Sequence, residues 1–298
     1  MNVLSLFDGI SCGRLALDRA GIKVDKYYAS EIDKYAMQVS SKNWPDIIQL
    51  GSVTDWKNWN IDFSSIDLLL AGFPCQAWSV AGKQKGDNDP RGALVHDLID
   101  IWQEIKKHNP KVKFLFENVE MKKEFLQYVN NLFGVEPIFI NSRVVSGQDR
   151  KRYYWTNING VTPPDDKNIN AIDLLETPGF FGAMRGRRIN EDGKRSDYNK
   201  RIPIVQYIEC RNDNKSNCIT TVQKDNVIVN KKVKRQCIKD IEYRYLTLIE
   251  CERLQTLPDN FTAGVSNTQR YKCLGNGWTV DVIAHIFKGL IKKRKAEK

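Results

Sequence analysis

Residues 2–21 read NVLSLFDGISCGRLALDRAG. The short apolar run NVLSLF, bounded by turn residues, predicts a buried strand, and GRLALDRAG opens a helix after the glycine-bearing turn FDGISCG. A turn of this kind between a first strand and a first helix lets a ligand approach the backbone and the helix N-terminus closely. The full G-x-G-x-x-G spacing is absent, and many such turns are glycine-rich for geometry alone, so both readings stand. Outward along the chain, YYASEID places Glu31 about twenty residues on, where an acid commonly takes ribose hydroxyls. No P-loop lysine follows. An acid at ribose distance without that lysine suits a nucleoside cofactor lacking a polyphosphate, a description that S-adenosylmethionine meets.

DLLLAG, KFLFENV and EPIFINSRVV read as further buried strands. Between them Leu94, Leu98, Ile101, Trp102 and Ile105 recur at helical spacing, and that helix ends before Pro110. Strand and helix in alternation imply an α/β fold, a parallel sheet with helices on both faces and ligands beyond the carboxyl ends of its strands. From about Gly160 the rhythm breaks into Pro-, Gly-, Asp-, Asn- and Arg-rich stretches, then returns at YRYLTLIECERLQTLP and TVDVIAHIFKGLIKK. The expected layout is a catalytic and cofactor-binding domain over 1–158, a smaller loop-rich lobe over 159–243, and a segment 244–298 completing the first domain.

The 298 residues carry a net charge of +10, which suggests a polyanionic partner. Residues 159–243 hold sixteen Lys/Arg against twelve acids, and the last eleven hold six against one. Seven scattered cysteines without a C-x-x-C pair argue against a disulfide framework, and three histidines away from ligand spacing argue against a metal. No run approaches the length of a membrane span and the start has no leader pattern, so a cytoplasmic protein is expected.

Chemistry concentrates at the strand ends. Cys75 follows DLLLAG and Pro74, ahead of a polar loop containing Lys83, Lys85 and Arg91. It is either one more inert buried cysteine or a nucleophile whose thiolate those cations favour. Glu117 and Asn118 end KFLFENV. A carboxyl there either caps the next helix or, desolvated, carries a proton for catalysis. Gln148, Arg150 and Arg152 alternate in QDRKR, as solvated charge or as a face that clamps a phosphate or a polarised carbonyl.

Taken together, FDGISCG, Glu31, GFPCQAWS, GKQKGDNDPRGAL, FENV, QDRKR, RYLTLIECERLQTLP and YKCLGNGWTV closely resemble the DNA cytosine-5 methyltransferases, in that family's order. The likeness is to the bacterial and phage type, with some similarity to the animal de novo branch. It implies a Rossmann-like S-adenosylmethionine-dependent methyltransferase sheet with a smaller loop-rich target-recognition domain. It also implies methylation of carbon 5 of a cytosine flipped out of double-stranded DNA. Cys75 would add to carbon 6, Glu117 would support protonation at ring nitrogen 3, and Arg152 would hold the base carbonyl. Arg150, with Gln148, would orient the backbone and the active-site loop, and Asn118 would stand beside Glu117. For the cofactor it implies Phe7, Asp8, Gly9, Ile10 and Gly13 at the first turn, Glu31 on the ribose and Ile32 beside it. Val53 would pack on adenine, Pro74 and Leu94 would line the pocket, and Asn276, Gly277 and Trp278 would close it. DNA contacts would come from Ser79, Lys83, Gln84 and Arg91, and from Arg185, Arg187, Arg188, Ile219 and Thr220. Ser52 and Ile32 depart from the family, which usually has aspartate and, in many bacterial members, tryptophan there. A monomer is expected, with a companion restriction endonuclease as a possible partner. Rival readings are an RNA cytosine methyltransferase, whose Cys-Phe-Thr tripeptide is absent here, a silent DNA-binding relative, and a cysteine hydrolase.

Overall fold

The computed structural model describes residues 1–74 and 90–292. In chain order its first strands are β1 (Asn2–Leu6), β2 (Lys26–Ser30), β3 (Ile48–Gln49), β4 (Leu68–Gly72), β5 (Lys113–Val119), β6 (Ile138–Asn141), β7 (Gln148–Asp149) and β8 (Lys151–Thr156). Seven of them form one sheet in the order β3-β2-β1-β4-β5-β8-β6. Pairing is parallel from β3 to β5, and β8 alone runs against both of its neighbours. The alternation of strands and helices predicts an entirely parallel sheet. The reversal arises because β6 and β8 are joined through residues 142–150, which hold a 3₁₀ turn and β7 but no crossover helix.

Helices α1 (Cys12–Arg19), α2 (Lys34–Asn43), α3 (Pro90–His108) and α4 (Lys123–Phe133) connect the strands, and α5 (Leu248–Leu254), α6 (Asn267–Asn276) and α7 (Val280–Lys292) close the chain. They cover both faces. Along β4, Leu68 and Leu70 join a core with α1, α2 and α7, whereas Leu69 and Ala71 join one with α3 and α4. That alternation is the two-residue period of a strand. The C-terminal helix lies on the first one, where Arg19 pairs with Asp281 at 2.7 Å. Among the described residues no helix is long and apolar enough to cross a membrane.

Strands β9 (Phe180–Arg187), β10 (Val205–Cys210), β12 (Val227–Val229), β13 (Gln236–Cys237) and β14 (Tyr243–Tyr245), with β11 (Ser216–Asn217) between β10 and β12, make up the middle of the chain. Five of them form a second, antiparallel sheet in the order β13-β10-β9-β12-β14. The glycines that make GFFGAMRGRR look like loop serve close strand packing. A Cβ at Gly182 would stand 2.8 Å from the Ile208 side chain, and one at Gly179 would stand 2.3 Å from Ile228. This lobe is sewn to the segment between β6 and β8 by β11 pairing with β7, as a separate two-stranded sheet, and by Lys215. Buried, Lys215 donates to the carbonyls of Arg143, Ser146 and Ile169.

Candidate active site

The carboxyl ends of β1, β2, β4 and β5 open on a cavity of about 580 Å³. Its floor is the turn after β1. Phe7, Gly9 and Ser11 all have positive φ there, at 54°, 62° and 58°, so two side-chain-bearing residues hold a backbone that favours glycine. Hydrogen bonds fix that shape. The Asp8 carboxylate accepts from the Ser11 hydroxyl and, at 2.8 Å, from Tyr27, while the Asp8 amide donates to Ser30 at 3.1 Å. Burial pushes the Asp8 carboxyl up to about 6, against the lowering effect of those hydroxyls.

Glu31, just beyond β2, accepts from the amides of Gly9, Ile32 and Asp33, each at 2.8 Å. A carboxylate has about four lone-pair positions, so one remains for a ligand hydroxyl. Ile10, Val53, Pro74, Leu94, Asn276, Gly277 and Trp278 line the same space, and Ile32 stands at its edge 77% exposed. Ser52, where an aspartate is usual in the resembled family, also lines it and caps a short 3₁₀ turn through the Thr54 amide. Gly13 does not line the cavity. It lets α1 lie close on the sheet, since a Cβ there would meet Leu70 at 2.7 Å.

At the inner wall β5 and β8 bring together a cluster of polar groups. Glu117 faces Tyr154 in register, so Arg152, two residues along β8, is its diagonal neighbour on one face. Arg152 Nε lies 2.8 Å from Glu117 Oε1, and the Trp278 indole donates to Oε2 at 3.0 Å. Both carboxylate oxygens are thereby engaged. Asn118, buried beside it, donates to the Phe73 carbonyl at 3.2 Å and so fixes the chain entering Pro74. Cys75, Ser79, Lys83 and Gln84 lie outside the described residues, as does the Arg91 side chain. Among the described residues two cysteines line the cavity, Cys12 and Cys273, desolvated thiols pushed up to about 12. Neither is a thiolate at neutral pH.

A model of the C-5 cytosine-specific DNA methylases matches residues 1–135 and 140–292. The chain belongs to that family. The methylase is 26% identical over 332 residues to the type II methyltransferase M.HpaII of Haemophilus parainfluenzae, covering 97% of this chain and 89% of that protein. It is 30% identical over 259 residues to M.HgiCI of Herpetosiphon aurantiacus, over 82% of this chain but only 58% of the relative. Among solved structures it matches the methyltransferase EhMeth of Entamoeba histolytica with a TM-score of 0.70 at 18% identity, covering 99% of this chain and 98% of that one. At that identity the match speaks for the fold.

Gln148 and Arg150, expected to orient the backbone, bond chiefly to backbone and buried polar groups. Gln148 is fully buried and absent from the cavity wall; it donates to the Leu254 carbonyl, Gln255 and Thr279, and accepts from the Ile219 amide at 3.1 Å. Arg150 reaches the wall but spends its guanidinium on the carbonyls of Ile219 and Gly277, at 2.9 and 2.8 Å. Ile219 is consequently a buried joint between lobe and sheet rather than a surface contact. Arg185 pairs with Asp225 at 2.7 Å, as Thr220 also does at 3.0 Å, and Arg187 grips Glu209 with two nitrogens. The Arg188 amide donates to Asp197 at 3.3 Å. Exposed cations stand instead on two loops that sequence reasoning passed over, Lys194, Lys200 and Arg201 on one and Lys231, Lys232 and Lys234 on the other. Arg235 joins the loops by donating to the Gly193 carbonyl at 2.8 Å. A run of four cations in NKKVKR was the available signal. Among the described residues no group of His, Cys, Asp and Glu is set to hold a metal ion.

Proposed function

We propose that the methylase modifies carbon 5 of a cytosine turned out of a double-stranded DNA sequence, with S-adenosylmethionine in the cavity and Cys75 as nucleophile. The observation that carries this reading is the Glu117 carboxyl held between Arg152 and Trp278 on the cavity wall, beside the backbone that leads through Pro74 into Cys75. The cavity suits the donor, being mostly apolar, with one Glu31 lone pair left for a ribose hydroxyl and an uncovered Ile32 to lie on the base. When bound, S-adenosylmethionine supplies the methyl group.

The chain's own residues do the rest. Phe7 and Val53 flank the nucleoside, and Asn276 and Gly277 close on the methionine end. The Cys75 thiolate adds to carbon 6 of the cytosine, the Glu117 carboxylate stabilises the proton that ring nitrogen 3 takes up from water, and the displaced electron pair makes carbon 5 nucleophilic. After carbon 5 is methylated, water takes its proton, the carbon–sulfur bond breaks to release the thiolate, and nitrogen 3 gives up its proton as the ring is restored. Arg152 shifts one donor to the base carbonyl. A paired cytosine hides these atoms, so it must leave the stack, at a cost of a few kcal/mol offset by DNA contacts. The exposed loop cations supply phosphate contacts.

Bisulfite sequencing of a plasmid from cells expressing the chain tests the reading, with conversion-resistant cytosines expected at one fixed motif. Folded protein that leaves every cytosine unmodified would refute it. A duplex carrying 5-fluorocytosine at that motif should trap the wild type covalently and leave Cys75→Ser untrapped.

A further inference from the structure

We infer that Trp278 is a positioning residue for Glu117, coupling the cofactor cavity to the carboxyl group that acts on the base. The inference rests on the role proposed for Glu117. Trp278 is held from both sides in sequence. The carbonyl of Gly277 accepts from Arg150 at 2.8 Å and from Gln255 at 3.2 Å, and the Thr279 hydroxyl donates to Gln255 at 3.0 Å. Gln148 donates to both Gln255 and Thr279, at 2.8 and 3.3 Å. A glycine then makes room for the ring. A Cβ at Gly72, the last residue of β4, would stand 2.8 Å from the indole nitrogen. The indole so placed lines the cavity and donates to Glu117 Oε2 at 3.0 Å.

Gln148 and Arg150 therefore act at a distance. Buried, and bonded to the Gly277 carbonyl, Gln255 and Thr279, they set the 277–279 turn that aims the indole. Once Arg152 turns to the base carbonyl, Trp278 is the donor that still fixes the orientation of Glu117. A methyl donor seated in the cavity rests against the same ring, so an occupied cofactor site and a correctly aimed carboxyl coincide.

Trp278→Phe keeps an aromatic wall and removes the N–H, while Gly72→Ala keeps the indole and pushes it off the carboxyl. Each is assayed on the motif found by bisulfite sequencing, with melting curves to show that it is folded. Both should lower kcat at saturating S-adenosylmethionine by about tenfold or more, as loss of a hydrogen bond to a charged group at the reacting centre does. The KM for the donor should stay within about threefold of wild type, since the apolar wall is retained. Formation of the 5-fluorocytosine adduct should slow in parallel. Unchanged kcat in either folded variant, or a loss carried wholly by KM, makes Trp278 a cofactor wall and nothing more. Inactive wild type would instead remove the proposed function itself.

Discussion

Arg185 and Arg187 look in the sequence like a cationic patch for DNA, yet each is bonded to a carboxylate of its own sheet. Their charge is compensated before any phosphate arrives. Lys231 and Lys232 have no such compensation and are exposed. Lys231→Glu with Lys232→Glu should weaken DNA binding evenly across sequences. The slope of log affinity against log salt should become shallower by about one for each phosphate the protein ceases to neutralise. Arg185→Ala should instead cost up to about 1 kcal/mol of stability through loss of its ion pair with Asp225, which keeps its bond from Thr220, with the salt slope unchanged, as titrations in rising salt would show. Asp8 offers a pH test. Its carboxyl is raised from 3.8 to about 6, so the folded state holds a proton that the unfolded chain has lost. Stability from this group is therefore greatest below pH 3.8 and falls as pH rises toward about 6, levelling off above. Asp8→Asn should lack that fall, so the difference between the two melting-temperature profiles should show it between about pH 4 and 6; parallel profiles would contradict it. At this scale the sequence offers candidate residues, but not whom they touch. Arg150 finds Gly277 and Ile219 far along the chain, and nothing in QDRKR itself points there.

Elements are legible where they carry a period. β1, β4, β5 and α3 stand where apolar runs and helical spacing put them. EPIFINSRVV reads as one strand, but β6 stops at Asn141, whose side chain accepts from the Arg143 amide and turns the chain. The lobe's sheet is hidden in the sequence because its strands are short and its glycines, which normally weaken strands, are there for close approach. Lys215 ties this lobe to the segment after β6 through the carbonyls of Arg143 and Ser146, and it also bonds that of Ile169. Replacing it with Met would take the ammonium donor from all three, the Ser146 carbonyl being buried. A loss of about 2–4 kcal/mol is expected in denaturant titration, through the desolvation penalty of unsatisfied polar groups. A change below about 0.5 kcal/mol would mean that the joint is held by packing alone.

Across the whole molecule, one cavity gathers residues from β1, β2, β4, β5, β8 and the turn before α7, so filling it ties distant parts of the chain together. S-adenosylhomocysteine at about a hundredfold over its Kd should raise stability by about 2.7 kcal/mol. No shift in melting temperature on adding it would mean that the cavity is not the cofactor site. That both chain ends build one unit is readable from the return of helical patterning after the lobe. The reversed β8 is not, because strand direction is a property of connections rather than of composition. The arrangement of chain ends also bears on biosynthesis. Gln148 and Arg150 leave the ribosome well before Gly277 and Thr279, their partners across the turn that precedes α7. A nascent or prematurely terminated polypeptide thus carries Glu117 without the Trp278 indole that bonds it, so the cavity wall is assembled only after the turn before α7 has been made.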